Sequence, residues 1–310
     1  VWYNSTSQTL KGFTQNPAGS WATGGTMNTA RGGTPGGLGV QTAAVCFGGE
    51  NPSDYQLVNE SYNGTTWTEV ADLNTKRNQI GSAGASATSG LAISGLNTEQ
   101  PDYNLKVVES WNGTSWTEVG DLNQERYGAK GAGTATAALV SGGNVFPSGS
   151  PSGPSALTES YNGTSWTEVN DLNTSRFGAG GFGATNTAAL CAGGKVTEGL
   201  VIVESWNGTS WTEVADINTA RHEMGASGDS NTEGLIFGGR NPGYLDETEF
   251  WNGTAWSEVA DLNTAVGNHG SAKTGTQAAT ASFGGNRPAV TAVSEEFDSP
   301  LDATVSFDSS

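Results

Sequence analysis

Residues able to do chemistry are few in this chain, and most of them recur at fixed spacing. Two cysteines, Cys46 and Cys191, and two histidines, His222 and His269, are all that the 310 residues offer for redox or nitrogen–sulfur metal chemistry. A zinc or copper site needs several such ligands at short spacing, and neither histidine has a Cys or His partner at ligand distance along the sequence. Each cysteine stands two residues before a Gly pair, where other copies of the same pattern carry Ala92, Val140, Ile236 and Ser282. A place filled by such residues is a small packing position, so both thiols are expected to be buried and unpaired. Arg31, Arg77, Arg126, Arg176 and Arg221 each follow a Trp by ten residues, with Val266 in that place after Trp256. Recurring in nearly every copy, these arginines are expected to pair with a nearby Asp or Glu and fix packing, rather than ring a channel and draw anions. Gly-rich stretches such as Gly178 to Gly183 lack the Lys-Ser/Thr of a phosphate loop, and no Gly-x-Ser-x-Gly or paired-carboxylate arrangement stands apart from the repeated acids. The sequence thus predicts no catalytic residue, no metal site and no cofactor.

Positioning falls to a repeat. The stretch "VVESWNGTSWTEVGDLN" (Val107 to Asn123) returns with small changes, placing Glu60, Glu109, Glu159, Glu204 and Glu249 seven residues before Trp67, Trp116, Trp166, Trp211 and Trp256. The Trp-to-Trp spacing of 45 to 50 residues is that of a four-stranded propeller blade. Asn-Gly suits a two-residue type I′ turn, and that register sets Glu109 opposite Trp116 with Trp111 diagonal to it on the same face. Thr-Glu-Val after each Trp reads as an outer strand whose charge discourages edge pairing. "DLNxxR" then leads inward, and Gly/Ala-rich runs such as Gly131 to Val140 suit an inner hairpin near a crowded axis. The Asn-Gly-Thr tripeptides at Asn63, Asn112, Asn162, Asn207 and Asn252 match the glycosylation acceptor pattern, as do Asn4, Asn59 and Asn173. Turn chemistry already accounts for the repeated ones.

The two ends complete one another. Trp21 precedes Arg31 by the usual ten residues, yet no matching strand precedes it; "VSEEFD" (Val293 to Asp298) supplies Glu296 and Phe297, yet no Trp follows. Five full copies and one split copy give an all-β, six-bladed propeller over residues 20–298, its sixth blade closed by an N-terminal strand near Ser20 to Met27 and a C-terminal strand near Ala292 to Phe297. Residues 1–19 read as a lead-in hairpin or attachment segment, and 299–310 as a C-terminal strand or tail. A chain beginning at Val1 reads as a processed or truncated product.

Charge narrows the partners. Thirteen basic residues against 31 acidic ones give −18, which speaks against nucleic acid and against an anionic membrane, since both need a basic footprint. No run of 18 apolar residues occurs, so no membrane insertion is expected. What differs between copies lies after each Gly pair: 10 residues separate Gly194 from Glu204, and 16 separate Gly143 from Glu159. Alternating strand direction puts all these segments on one face. They carry Asp54, Tyr55, Asp102, Tyr103, Phe146, Arg240, Asn241 and Tyr244, the candidate ligand- or partner-binding residues.

A hydrophobic run ending in Gly-Gly, then an aromatic, then a Trp opening the next strand, resembles the kelch repeat. "FGG…ESYNGTTW" (Phe47 to Trp67) and "FGG…EFWNGTAW" (Phe237 to Trp256) carry the likeness best, while the second copy departs with Ser94-Gly95-Leu96. The form "WNGTSWTEVADINTAR" (Trp206 to Arg221) is similar to kelch-like repeats in virion proteins of marine and cyanobacterial tailed phages. The resemblance implies a non-enzymatic structural or binding propeller: a tail-fibre, receptor-binding or capsid-decoration protein, located on the virion. Its partners would be other virion subunits or a host surface glycan or protein, with a homo-oligomer as one form. A cellular kelch module for protein or glycan binding, secreted or cytoplasmic, is the alternative.

Overall fold

The computed structural model describes residues 2–4, 9–13, 19–97, 99, 103–145, 153–276, 278–299 and 304–307. None of these is helical. Strands assemble into six four-stranded antiparallel sheets. In the second of them the strands, from inside outward, are Gly81–Ser86 (a), Ser89–Leu96 (b), Asn104–Trp111 (c) and Trp116–Glu118 (d). The innermost strands, Gly36–Val40, Gly81–Ser86, Lys130–Thr134, Gly180–Thr185, Gly225–Ser227 and Gly270–Ser271, each touch the next, and the last touches the first. The molecule is a six-bladed β-propeller.

Closure is as the split copy requires. Blade six takes Ser20–Thr23 as its outermost strand, antiparallel to Ser294–Asp298, with Trp21 opposite Phe297. Those two rings lie 5.3 Å apart, matching the Trp111–Trp116 pair at 5.2 Å and Trp206–Trp211 at 5.4 Å. Apart from the ring, Trp2–Asn4, Thr9–Phe13 and Thr304–Phe307 form a three-stranded sheet with Thr9–Phe13 in the middle.

The core lies between blades. Ala83, Ile93 and Val108 of blade two pack with Val140, Tyr161 and Trp166 of blade three, and Phe182 and Leu190 of blade four with Ile236, Trp251 and Trp256 of blade five. Small inner strands make this geometry possible: a Cβ at Gly37 would sit 2.3 Å from the Ser271 carbonyl oxygen of the neighbouring blade, and one at Gly131 would sit 2.5 Å from that of Ser82.

A collar of backbone hydrogen bonds closes the ring at the entrance to the innermost strands. Thr34, Gln79, Gly128, Gly178, Glu223 and Asn268 occupy equivalent places there, all with φ between 52° and 65°. The left-handed turn points each N–H sideways at the preceding blade: Gln79 N donates to Gly33 O (2.7 Å), Gly128 N to Gln79 O (2.9 Å) and Gly178 N to Gly128 O (2.9 Å). Glu223 N then donates to Gly178 O (2.6 Å), Asn268 N to Glu223 O (2.9 Å) and Thr34 N to Asn268 O (2.9 Å). Four non-glycine residues hold a strained backbone here, at about 1 kcal/mol each or more. The cyclic set of bonds offsets that cost.

The hairpin register departs from the expected one. Trp111 pairs with Trp116 and Glu109 with Glu118, so the c–d connection has four residues rather than two. The Asn side chain explains the difference: Asn112 Oδ1 accepts from the amides of Thr114 and Ser115, both at 2.9 Å, which builds an Asx turn in place of type I′. The shift of two preserves the face. At the C-terminal end the residue matching Glu109 is Glu295, two before Phe297 and buried, not Glu296, which accepts from the Tyr62 hydroxyl.

The Gly pairs need their glycines. Gly48 and Gly49 have φ of 63° and 93°, and a Cβ on Gly48 would lie 2.4 Å from Ile80 Cδ1. In blade two Ser94 takes the first place at φ 54°, fully buried, its hydroxyl without a partner. Ser94→Gly is therefore expected to stabilise the protein by about 1 kcal/mol, raising Tm by roughly 2–4 °C. Calorimetry checks this; an unchanged or lower Tm refutes the strain argument.

Candidate binding face

Each b–c loop is launched by its Gly pair (Ser94-Gly95 in blade two), and the residue after the pair is fixed by a bridge to the residue after the incoming arginine, or after Val266 in blade six. Glu50 bridges Gly32, Asn144 bridges Tyr127, Lys195 bridges Phe177, Arg240 bridges His222 and Asn286 bridges Gly267. The scaffold thus presents a side chain of free chemical choice at one defined place per blade. Two neighbouring blades place cations there, Lys195 and Arg240.

Between those loops lies a cleft of about 350 Å³, lined by Lys195, Thr197, Glu198 and Gly199 on one side and His222, Arg240, Asn241 and Pro242 on the other. Its volume is that of a site for a small ligand or a single anchoring side chain. Asn241 packs against Gly199, where a Cβ would come within 2.9 Å of Asn241 Cγ. Arg240 lies 5.7 Å from the centre of the Tyr244 ring, with Glu223 Oε2 3.6 Å from its guanidinium. Burial, then the charges of Lys195 and Arg240, pull the His222 imidazole down to about 4, so it is neutral at pH 7. Lys195, Arg240 and Glu198 are the charged groups that line it, with Glu223 beside Arg240, in a protein of net charge −18. Such a cleft can hold a carboxylate, or the hydroxyls of a sugar ring.

The other candidates stand apart from that cleft. Asp54 and Tyr55 line a shallow hollow of about 270 Å³ within the blade-one loop, with Glu50, Asn51, Pro52 and Ser53. Asp54 is exposed but engaged: Lys76 Nζ reaches its Oδ2 at 2.8 Å and Glu99 Oε1 at 2.6 Å, tying the loops of blades one and two. The hydrogen bond from Lys76 holds the Asp54 carboxyl below its ordinary range. Tyr55 and Tyr244 are half-buried rather than free flat anchors. Among the described candidates Tyr103 is the exposed aromatic, 48% accessible, held at φ 59° while its carbonyl accepts from Asn97 N at 2.7 Å. Asp102 and Phe146 lie outside the described residues. The structure therefore brings together Arg240, Asn241 and Tyr244, and separately Asp54 and Tyr55. Sequence reading missed Lys195, Glu198 and His222. Aligning the residue after each Gly pair would have set Lys195 beside Arg240.

The repeated chemistry serves packing. Arg31, Arg77, Arg126, Arg176 and Arg221 are wholly buried and pair with Glu60, Glu109, Glu159, Glu204 and Glu249, as in Arg77–Glu109 at 2.9 Å and Arg221–Glu249 at 2.8 Å. Cys46 and Cys191 are buried and free, and burial pushes the Cys46 thiol up to about 12, so neither is a thiolate at neutral pH. His269 is enclosed, its Nε2 accepting from Gly225 N at 3.0 Å. Among the described residues no three His, Cys, Asp or Glu side chains converge as a metal would need. A rigid ring with one variable face is the architecture of a binding or interaction module. No protein-family model matches the chain, and no curated protein matches it.

Proposed function

We propose that this propeller is a non-enzymatic, kelch-like binding module carried on the virion of a tailed phage, where it contacts a host surface glycan or a neighbouring virion subunit. The observation that carries the reading is the asymmetry between faces. The c–d turns repeat one Asx geometry, at Asn112, Asn162, Asn207 and Asn252 alike. The opposite face breaks six-fold redundancy in its loops, with the 350 Å³ cleft at blades four and five and the exposed Tyr103 at blade two. Recognition of a single partner needs such an asymmetric surface, and Arg and Tyr are the side chains that most often anchor one. The likeness of "WNGTSWTEVADINTAR" to phage virion repeats supplies the setting.

The test compares two sets of variants on folded protein. Arg240→Ala, Asn241→Ala and Tyr103→Ala together should weaken binding to a host-glycan array, or to the particle's other structural proteins, by roughly 30-fold or more. Thr114→Ala with Thr209→Ala, on the turn face, should change it less than about twofold. Loss through the turn set alone would place the working surface on the wrong side. Antibody raised against the domain should label purified particles, and capsid, portal or tail genes should flank its own; failure of both removes the virion setting.

A further inference from the structure

The innermost strands share a pattern invisible from composition, Gly at the first and fourth places. It reads Gly36 and Gly39, Gly81 and Gly84, Gly180 and Gly183, Gly225 and Gly228 in blades one, two, four and five. Strand pairing fixes the equivalence, since Gly36, Gly81, Lys130, Gly180, Gly225 and Gly270 each oppose the residue before the Gly pair. Two places break the rule. Lys130 replaces the first Gly of blade three, ahead of Gly133, and Lys273 replaces the second Gly of blade six, after Gly270. In a ring of six, blades three and six lie opposite one another.

Both lysines line one central chamber. They are 8% and 7% exposed, and they line a chamber of about 20 Å³ together with Gly37, Ser82, Gly181 and Ala226, so that all the blades contribute. Room for Lys130 comes from paired changes. Ser141 opposes it where blades one, five and six have Phe47, Phe237 and Phe283, and Gly181 of the next blade lies against its stem. Each buried arginine of this protein has its glutamate. Among the described residues, neither lysine ammonium has a carboxylate in ion-pair reach or a hydrogen-bond acceptor. Both side chains are more than nine-tenths buried, a costly place for a cation without a partner, and here two line one small space.

We propose that this axial chamber is an anion site, in which Lys130 and Lys273 reach from opposite blades to one inorganic anion of halide size. The volume suits a small ion, since a water-sized occupant needs roughly 10–15 Å³ of such space. The Ser82 hydroxyl lines the chamber and, among the described residues, has no hydrogen-bond partner, so it supplies a third donor, whereas the Ser271 hydroxyl is already donated to Ala226 O at 2.9 Å. Of the remaining titratable neighbours, Glu223 acts on Lys130 from outside the chamber lining and only partly offsets its burial. His269 is held neutral by burial, Cys191 is held as the thiol, and the Arg287 charge reaches His269.

A sign follows for pH. Burial pulls Lys130 down to about 8, and burial with the charge of Lys130 pulls Lys273 down to about 7. An anion favours the charged forms. Binding should therefore be strongest below pH 7, take up protons near neutrality, and fade as pH rises through 8.

Bromide is the probe. Full-length protein is titrated with sodium bromide against sodium gluconate at equal ionic strength, following Tm, and crystals grown in bromide are examined by anomalous diffraction. The expected result is a bromide-specific rise in Tm at pH 6.5 that disappears at pH 9, with an anomalous peak on the axis. Lys130→Met and Lys273→Met, which keep the stem and lose the charge, should each weaken apparent affinity about tenfold or more. Should a Met variant fold poorly, Lys130→Gly and Lys273→Gly restore the residue of the other blades and take its place. Equal response to bromide and gluconate, an empty axis, or a Met or Gly variant as sensitive as the parent protein would each overturn the assignment.

Discussion

Deleting Val1 to Met27 should abolish cooperative unfolding and leave aggregating protein, because the deletion removes an outer strand that nothing else in the chain replaces. Trp21 is 6% exposed, 5.0 Å from Phe237 of blade five and 5.3 Å from Phe297 of blade six. Its indole N–H donates to Thr248 Oγ1 at 3.1 Å, and its carbonyl accepts from Asn263 Nδ2 at 3.1 Å, so one residue joins two blades across most of the sequence. Further along, Gly24 N and Met27 N donate to Ser294 O and Ala292 O, both at 2.9 Å, and Trp67 of blade one donates back to Gly25 O at 3.0 Å. Removing the segment exposes the edge of Ser294–Asp298 and the inner faces of blades one and five. Trp21→Ala alone should cost about 3–5 kcal/mol, lowering Tm by roughly 6–15 °C. Trimming residues 304–310 should matter far less, since Thr304–Phe307 pairs with Thr9–Phe13 and not with a blade. Calorimetry on the three proteins decides, and a deletion that melts at the parent temperature refutes closure by these strands.

Much of this was legible because a repeat averages its own noise. One Asn-Gly between two short runs says little, but five copies at 45 to 50 residues fixed strand order and blade number, and two orphan halves fixed the closure. What the repeat could not give was register. The sequence allowed a two-residue turn, and only the carboxamide of Asn112, bonding two amides beyond it, selects the longer one. The error at Glu296 has another cause. Two adjacent acids fit the pattern equally well until the pairing of Phe297 with Trp21 shows which one lies two residues ahead of the aromatic. The site was less legible than the fold. Arg240 and Asn241 stood out as departures from the repeat, whereas the meaning of Lys195 depends on which blade lies beside blade five. Lys130 and Lys273 were harder still: each is a single change in a Gly-rich strand, and only ring geometry sets them across one axis.

Glu204→Ala should be among the most destabilising single changes outside the closure, at about 3–5 kcal/mol and a Tm loss of roughly 6–15 °C. The carboxylate carries more than its arginine. Oε1 accepts from Arg176 Nη2 at 2.5 Å and Thr174 N at 3.2 Å, while Oε2 accepts from Asn173 N at 2.7 Å and Asn173 Nδ2 at 2.8 Å. The incoming connection from blade three is thus folded around a single buried acid of blade four. Without it, Arg176 keeps only carbonyl partners, Thr174 O, Gly193 O and Ile202 O, and a wholly buried charge is left uncompensated. Glu213, directly opposite Glu204 on the outer strand, is exposed, so Glu213→Ala should stay within about 0.5 kcal/mol and serves as the control. Blade six offers the same argument from the opposite direction. Val266 stands in the arginine's place, and Arg287, from the b–c loop, reaches Glu295 Oε1 at 2.7 Å instead. Arg287→Met should therefore cost about 3 kcal/mol or more, and Val266→Arg added to it should recover part of the loss by rebuilding the pair of the other blades. If Glu204→Ala melts with Glu213→Ala, or if the double variant is no more stable than Arg287→Met, the acid is a bystander and the connections are held by packing alone.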